Sequence, residues 1–503
     1  MSINLRKLIS SRINDLTPVK TSIAGLLELK RSNAGKLELQ LPFKNVKDLK
    51  SSSNELLNIR DDMIDTVTCS QSEISFALNE NKHVQESFKN PTNIQCNVTP
   101  SKFIVEYSSP NIAKPFHMGH LRSTIIGNFI SNLLKGSNNE VIRMNYLGDY
   151  GTQFGFLKVG IEMEKLTDEQ MKRSPLECLF KAYVTANVST DPSVADRARK
   201  VFEKMENSED GEVIKQWEQI KQYTMDELKI MYERLNVVFD VYEFESMYRR
   251  NEIENLLGQL EEKGLVKLEE DGKKVVTVGD RNVPIVKSDS TTLYLTRDIA
   301  AFLERKKRHR MDKIFYVVDN GQHDHFAAIK SVIGSLGFDA ENIIHHVKFG
   351  RIKGMSTRKG SVVFLKDILD EAKDLMFKRQ QESANTKVDL TQCGESIADI
   401  LGSSAVIVND LKQRRQRDYE FDWNKILQVN GDTGIKLQYT HCRLYSLSQV
   451  CGSVEADEID LSLLQEPEAR RLILEILKYP EAILSCVESL EACGLVHYLL
   501  GLR

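Results

Sequence analysis

Between residues 103 and 148 the apolar pattern changes period twice. FIVEYS (103–108) is a compact β-rich run, ended by Ser109-Pro110-Asn111. From about His120 the apolar positions fall at Leu121, Ile125, Ile126, Phe129, Ile130, Leu133 and Leu134, the spacing of one helical face. A polar loop (136–139) follows, and then a second strand-like run, EVIRMNYLG (140–148). Strand, turn, helix, strand predicts a βαβ opening and hence a parallel sheet.

The same reading carries along the chain. Residues 1–95 pattern as a small mixed domain: a basic amphipathic helix, LELQLPF, a charged helix near 44–60, and the alternating SEISFAL (72–78). Asn90-Pro91-Thr92-Asn93 and Thr99-Pro100 mark a boundary. Residues 155–235 read as long charged helices, and 268–286 as strands with a glycine turn. TLYLTRDIAAFLERKKR (292–308) reads as strand then helix, KIFYVVD (313–319) and HHVKFG (345–350) as further strands. From about 366 the pattern is almost wholly helical. Three segments are expected: 1–95, an α/β core over 100–365 with insertions near 155–220 and 246–290, and a helical domain over 366–503. There is no internal repeat or low-complexity segment.

Composition narrows this little. A chain of 503 residues, 41% hydrophobic and 28% charged, is an ordinary globular composition with room for about three domains. A formal charge of −4 excludes a generally basic nucleic-acid coat but not local patches. Two basic runs, Arg305–Arg310 and Lys412–Arg417, qualify, although such a run is more often a solvated helix face. Eight scattered cysteines without a CxxC pair indicate a reducing compartment rather than a disulfide scaffold. No apolar run approaches the ~18 residues of a membrane span. The first twenty residues are basic, serine-containing and nearly free of acid, which fits either an organelle transit peptide within 1–25 or an ordinary first helix.

The candidate chemistry sits in HMGH (117–120). A zinc helix would space its histidines at i and i+4 with a Glu between; here the spacing is three, with no Cys or carboxylate frame, so no metal site is expected. A phosphate site fits better. Gly119 lets the backbone approach a ligand, and the following helix presents free N–H groups and the positive end of its dipole. Imidazoles just ahead of it can donate to phosphate oxygens as charge develops.

Strand–HxGH–helix is the nucleotide-binding signature of class I aminoacyl-tRNA synthetases. The sequence resembles the arginyl-tRNA synthetases in particular, through VEYSSPNIAKPFHMGHLRSTIIGN (105–128), NYLGDYGTQFG (145–155), LYLTRDIA (293–300), GQHDHF (321–326), GMSTRKG (354–360) and GDTGIKLQYTHCRL (431–444). The basic N-terminus looks most like the mitochondrial branch. The resemblance implies a class I Rossmann-like core with a small α/β tRNA-contacting domain before it and an all-α anticodon-binding bundle after it. It implies arginine–tRNA ligation by way of arginyl-adenylate, with ATP and Mg²⁺, L-arginine and tRNA(Arg) as ligands, a monomeric state, and a place in the mitochondrial matrix or, alternatively, the cytoplasm. His117 and His120 would stabilise the ATP phosphates, with Gly119, Met355, Ser356, Arg358 and Lys359 also at the nucleotide. Asn111 and Gln322 would hold the amino acid's backbone groups; Asp298, Glu245 and Glu106 would face its guanidinium, with Tyr294 beside it. Carboxylates placed for paired hydrogen bonds are what a planar guanidinium requires.

The sequence departs from the family at three places. The signature KMSKS loop reads Met355-Ser356-Thr357-Arg358-Lys359, without its lysines in place, and Lys114, just ahead of HMGH, stands where a substitute is expected in such enzymes. Phe244 precedes Glu245 where the family tends to have glycine. The helical domain ends earlier than the family's, which raises the alternative of a tRNA-binding protein with impaired catalysis.

Overall fold

The βαβ opening forms as the periodicity predicts. Strand Lys102–Glu106 (β1), helix Met118–Gly136 (α1) and strand Glu140–Leu147 (β2) follow one another, and β1 and β2 pair in parallel with Ile104 opposite Ile142. The computed structural model describes residues 2–503 except 18, 20–22, 33, 34, 90–99, 113–115, 117, 207–210, 249, 279, 280, 289–292, 355–363, 384–388, 429, 430 and 453–459. Strands Val241–Phe244 (β3), Lys313–Asp319 (β4) and Ile344–Phe349 (β5) complete a five-stranded sheet in the order β5-β4-β1-β2-β3, every pair parallel. Phe103, Ile104 and Val105 are all buried in succession, as in a strand covered on both faces.

Helices Tyr294–His309 (α2) and His323–Ser335 (α3) contribute Ile299, Phe302, Ile329 and Val332 to a core shared with Ile104, Ile314 and Ile344 of the sheet. The LTRD segment is therefore helical, not a strand. Leu293 is the extended residue that precedes the helix, and Leu295, Thr296 and Ile299 lie buried at helical spacing. The alternation in LYLT imitates a strand, but burial at i and i+4 selects the helix. Between β2 and β3 the chain runs through helices from Thr152 to Arg234, packed around Trp217, Phe154 and Leu157. A three-stranded antiparallel sheet (266–286) precedes α2.

The chain divides into two compact units: residues 99–439, and residues 1–98 with 440–503. They cut it differently from the three expected segments. In the second of these units Leu5, Ile9, Ile13, Leu39 and Phe76 share one core with Ile473 and Leu477, over a four-stranded antiparallel sheet. Helix Ser2–Leu16 is thus an element of that core, with Arg6 paired to Glu481. The charged stretch near 44–60 is not a continuous helix: it holds a 3-10 turn, Lys47–Ser52, and a single helical turn, Ser53–Leu56. Ser51 and Ser52 lie inside it, and serine offers the backbone competing hydrogen bonds.

Candidate active site

In a doubly wound sheet, ligands bind outside the carboxyl ends of the strands where the winding reverses. Here that place lies beside β1, with β2 on one side and β4 on the other. The chain leaves β1 through two consecutive left-handed residues, Ser108 (φ 72°) and Ser109 (φ 44°). Such residues cost on the order of 1–3 kcal/mol each and persist only where their surroundings fix them. The fixing groups are present. Ser108 N–H donates to Ser123 Oγ (2.9 Å), which donates to the Val317 carbonyl (2.6 Å). Ser109 N–H donates to Asn145 Oδ1 (3.1 Å), and Asn145 Nδ2 donates to the Tyr232 hydroxyl (2.9 Å), itself bonded to Ser108 Oγ (2.8 Å). The turn brings Asn111 back alongside Gly148 at the end of β2. A Cβ on Gly148 would come within 3.0 Å of Asn111 Nδ2, so any larger residue there would press on the Asn111 side chain.

A cavity of about 500 Å³ opens above this turn, and Glu106, Asn111, Gly119, His120, Glu245, Tyr294, Asp298 and Gln322 all border it. Eight of the residues expected from sequence thus meet at one site. Gly119 and His120 open α1, and the Phe116 ring lies 5.3 Å from the His120 ring. Tyr294 and Asp298 sit one turn apart at the start of α2; Gln322 ends the short 3-10 turn Asn320–Gln322 after β4. Lys114, His117, Met355, Ser356, Arg358 and Lys359 lie outside the described residues.

The carboxylates differ in what holds them. Glu245 follows directly on β3, in a 3-10 turn tied down by the buried Asp149, which accepts from Ser246 N–H (2.9 Å) and Ser246 Oγ (2.7 Å). Phe244 sits at φ −131°, ψ 143°, a conformation open to any residue, so glycine is not required there. Glu245 Oε2 is buried without a hydrogen-bond partner among the described residues. Burial, reinforced by the charge of Asp298, pushes its carboxyl up to about 8. Asp298 Oδ2 lies 2.6 Å from His325 Nε2, another residue of the cavity wall.

Glu106 is bound into a buried ion cluster. Arg305 donates through Nη1 to Glu106 and through Nε to Glu243 Oε2 (2.7 Å), and Arg305 and Glu243 are each 1% exposed. The basic run 305–310 is therefore not simply a solvated face, because its first residue points inward to neutralise two carboxylates. The other run, 412–417, is not a helix face either. Arg122 donates to the carbonyls of Arg414 and Arg417 within it, and to that of Gly350, at 3.5, 2.9 and 2.6 Å. In sequence, Asp149 and His325 stand inside quoted motifs and Arg305 heads a basic run, with nothing that gives any of the three a place at the site. The available signal for Arg305 was its place on the stripe Asp298, Ala301, Phe302, Arg305, spaced i, i+3, i+4, i+7.

This fold and site define a class I tRNA synthetase: residues 83–423 match the family model for "tRNA synthetases class I (R), catalytic domain", and residues 437–503 match the DALR anticodon binding domain. The chain is 40% identical to a probable cytoplasmic arginine–tRNA ligase of Dictyostelium discoideum over 80% of its length and 72% of the relative's. It is 38% identical to a probable mitochondrial arginine–tRNA ligase of Bos taurus (80% and 70%) and to the cytoplasmic arginine–tRNA ligase of Saccharomyces cerevisiae (80% and 69%). The chain belongs to the arginine–tRNA ligase family. Its fold is also that of the arginyl-tRNA synthetases of Plasmodium falciparum (TM-score 0.79, 23% identity) and Thermus thermophilus (0.80, 21%), each matched over 99% of this chain and 90% of the other.

Proposed function

We propose that this chain activates L-arginine with ATP to arginyl-adenylate and transfers the arginyl group to the 3′ end of tRNA(Arg). The observation that carries the substrate is the cavity at the carboxyl edge, where Glu245 and Asp298 stand together and Glu245 Oε2 has no hydrogen-bond partner among the described residues. A guanidinium supplies what they lack: planar donors in a fixed fork, and a positive charge. Asn111 and Gln322 take the amino and carboxylate groups, and Tyr294 closes the wall beside the side chain.

ATP enters over Gly119 and His120, its phosphates facing the amino end of α1, where the free N–H groups and dipole favour anions. The arginine carboxylate attacks the α-phosphorus, and pyrophosphate leaves. His117 and His120 donate to the phosphate oxygens as charge grows on them, while Lys114, with Arg358 and Lys359, balances the leaving group. Mg²⁺ arrives on the nucleotide as part of the substrate rather than in a protein cage, in keeping with its preference for phosphate and water ligands. Residues 437–503 bind the anticodon end of the tRNA, residues 1–95 contact the same RNA, and the enzyme works as a monomer.

The relatives named above act in two compartments at similar identity. We place this chain in the mitochondrial matrix on its basic first helix, with the cytoplasm as the alternative. An address in that helix stays on the mature chain, because Leu5, Ile9 and Ile13 are core residues. The alternative of a tRNA-binding protein with impaired catalysis draws no support from these relatives.

ATP–pyrophosphate exchange with each of the twenty amino acids, with and without tRNA(Arg), tests the reaction. Exchange with arginine alone among the twenty, dependent on the tRNA, is expected; its absence overturns the proposal.

A further inference from the structure

We infer that Arg305 is a positioning residue for the amino-acid pocket: it holds the Glu106 carboxyl by one oxygen, turned so that the other is presented to the cavity. This rests on the arginine reading above and assigns a role to a residue outside the motifs.

The argument starts from how the two carboxylates share the guanidinium. Glu243 is fully engaged, accepting from Arg305 Nε (2.7 Å), the Tyr248 hydroxyl (2.7 Å) and Arg308 Nη1 (3.3 Å). It anchors Arg305, whose guanidinium also lies 4.7 Å over the Tyr146 ring. Glu106 is only half engaged. Its Oε2 takes Arg305 Nη1, while among the described residues Oε1 has one long contact, Ser109 Oγ at 3.5 Å. A purely structural staple would need the Glu243 contact alone. The second arm of Arg305 instead ends on a carboxylate of the cavity wall.

Charge bookkeeping points the same way. Glu106 is faced by Arg305 and Asp298 from α2, Glu243 from β3, Tyr146 from β2, Tyr316 from β4 and Ser109 beyond its own strand. Among these Arg305 is the one cation. Burial pushes the Glu106 carboxyl up to about 7 even with Arg305 pulling it down. Without the guanidinium, the acid would keep its proton through neutral pH and offer the substrate a neutral oxygen. A charge-assisted hydrogen bond is about twice as strong as a neutral one, so arginine affinity would fall.

The test measures arginine-dependent ATP–pyrophosphate exchange in the full chain with tRNA(Arg), from pH 6 to 9, for wild type, Arg305→Lys and Arg305→Met. In Arg305→Met the KM for arginine should rise roughly 10- to 100-fold, the worth of one hydrogen bond to a charged group, while the KM for ATP stays within about twofold. The acid limb of kcat/KM for arginine should move to higher pH. Arg305→Lys, which restores the charge without the fork, should return part of the loss and move the limb back. An unchanged KM for arginine in a folded variant, or equal rises for arginine and ATP, would overturn the inference. If Arg305→Met melts out, Arg305→Lys decides by the same two readouts. Wild type without arginine exchange would sink the arginine reading itself; an active wild type with an indifferent variant sinks only the role of Arg305.

Discussion

Arg122 and Arg305 are both about 1% exposed, yet only Arg305 borders the cavity, and the two act in different ways. Arg122, two residues past HMGH, donates to three backbone carbonyls and pairs with Asp410 of helix Gly394–Leu411 (α4) at 3.2 Å. Every group it meets is internal, and Asp410 also accepts from the Tyr419 hydroxyl (2.9 Å). Arg305 meets two carboxylates, one of which borders the cavity, and Glu245 and Asp298 remain beyond it. The first edge is closed within the fold and fixes shape. The second stays open to the cavity, where Glu106, Glu245 and Asp298 stand together.

The largest expected effect would break the closed edge. Arg122→Met leaves Asp410 buried without a counter-charge and should cost about 3–5 kcal/mol of stability, read as a lower midpoint in urea unfolding. Saturating arginine should not selectively rescue it. An unchanged midpoint would show that Arg122 is no staple and dissolve the contrast.

At the open edge the effect should fall on substrate instead. The Asp298 side chain is 28% exposed, so water screens part of its charge. Asp298→Asn should lose roughly 1.5–3 kcal/mol of arginine affinity, the range for a hydrogen bond to a charged group, with the melting temperature almost unmoved. Equilibrium binding and thermal melting on the same sample separate the two; a large melting shift with intact affinity would move Asp298 to the structural side.

The smallest effect sharpens the contrast through pH. Glu245 would ionise near 4.5 when unfolded but is pushed up to about 8 in the folded chain. The folded chain therefore binds the extra proton, and stability contributed by this group falls as pH rises between those values. Bound arginine favours the ionised form, so its affinity should increase from pH 6 to 8 by at most about tenfold per unit, and its thermal stabilisation should grow alongside. Glu245→Gln should make that slope shallower, leaving the part that belongs to Glu106. A flat slope in the wild type would mean that Glu245 does not face the guanidinium.

The opening βαβ, HMGH and the turn before it were legible in sequence because each is local: a change of period, a glycine, a helix start. The eight residues that meet at the cavity were reachable through the family resemblance, which carries them motif by motif; four of them open helices rather than end strands. Arg305 was misread for a physical reason. Six basic residues in a row look like a wet surface, and what turns the first inward is a pair of carboxylates from β1 and β3, 199 and 62 residues away. Asp149 escaped for a similar cause, since its partner Ser246 lies 97 residues on. The strand expected in LYLT failed because alternation over four residues cannot outweigh the helical burial that follows it.

The unit holding Leu5 and Ile9 completes its core with Ile473 and Leu477, while residues 99–439 form a unit of uninterrupted chain. During synthesis the contiguous unit can collapse as soon as it emerges, since domains generally fold as units. The first hundred residues must wait for the whole of it to be made before their last partners arrive. In that interval the apolar face of helix Ser2–Leu16 lacks part of its cover, so the first segment of the chain to be made is among the last to be finished.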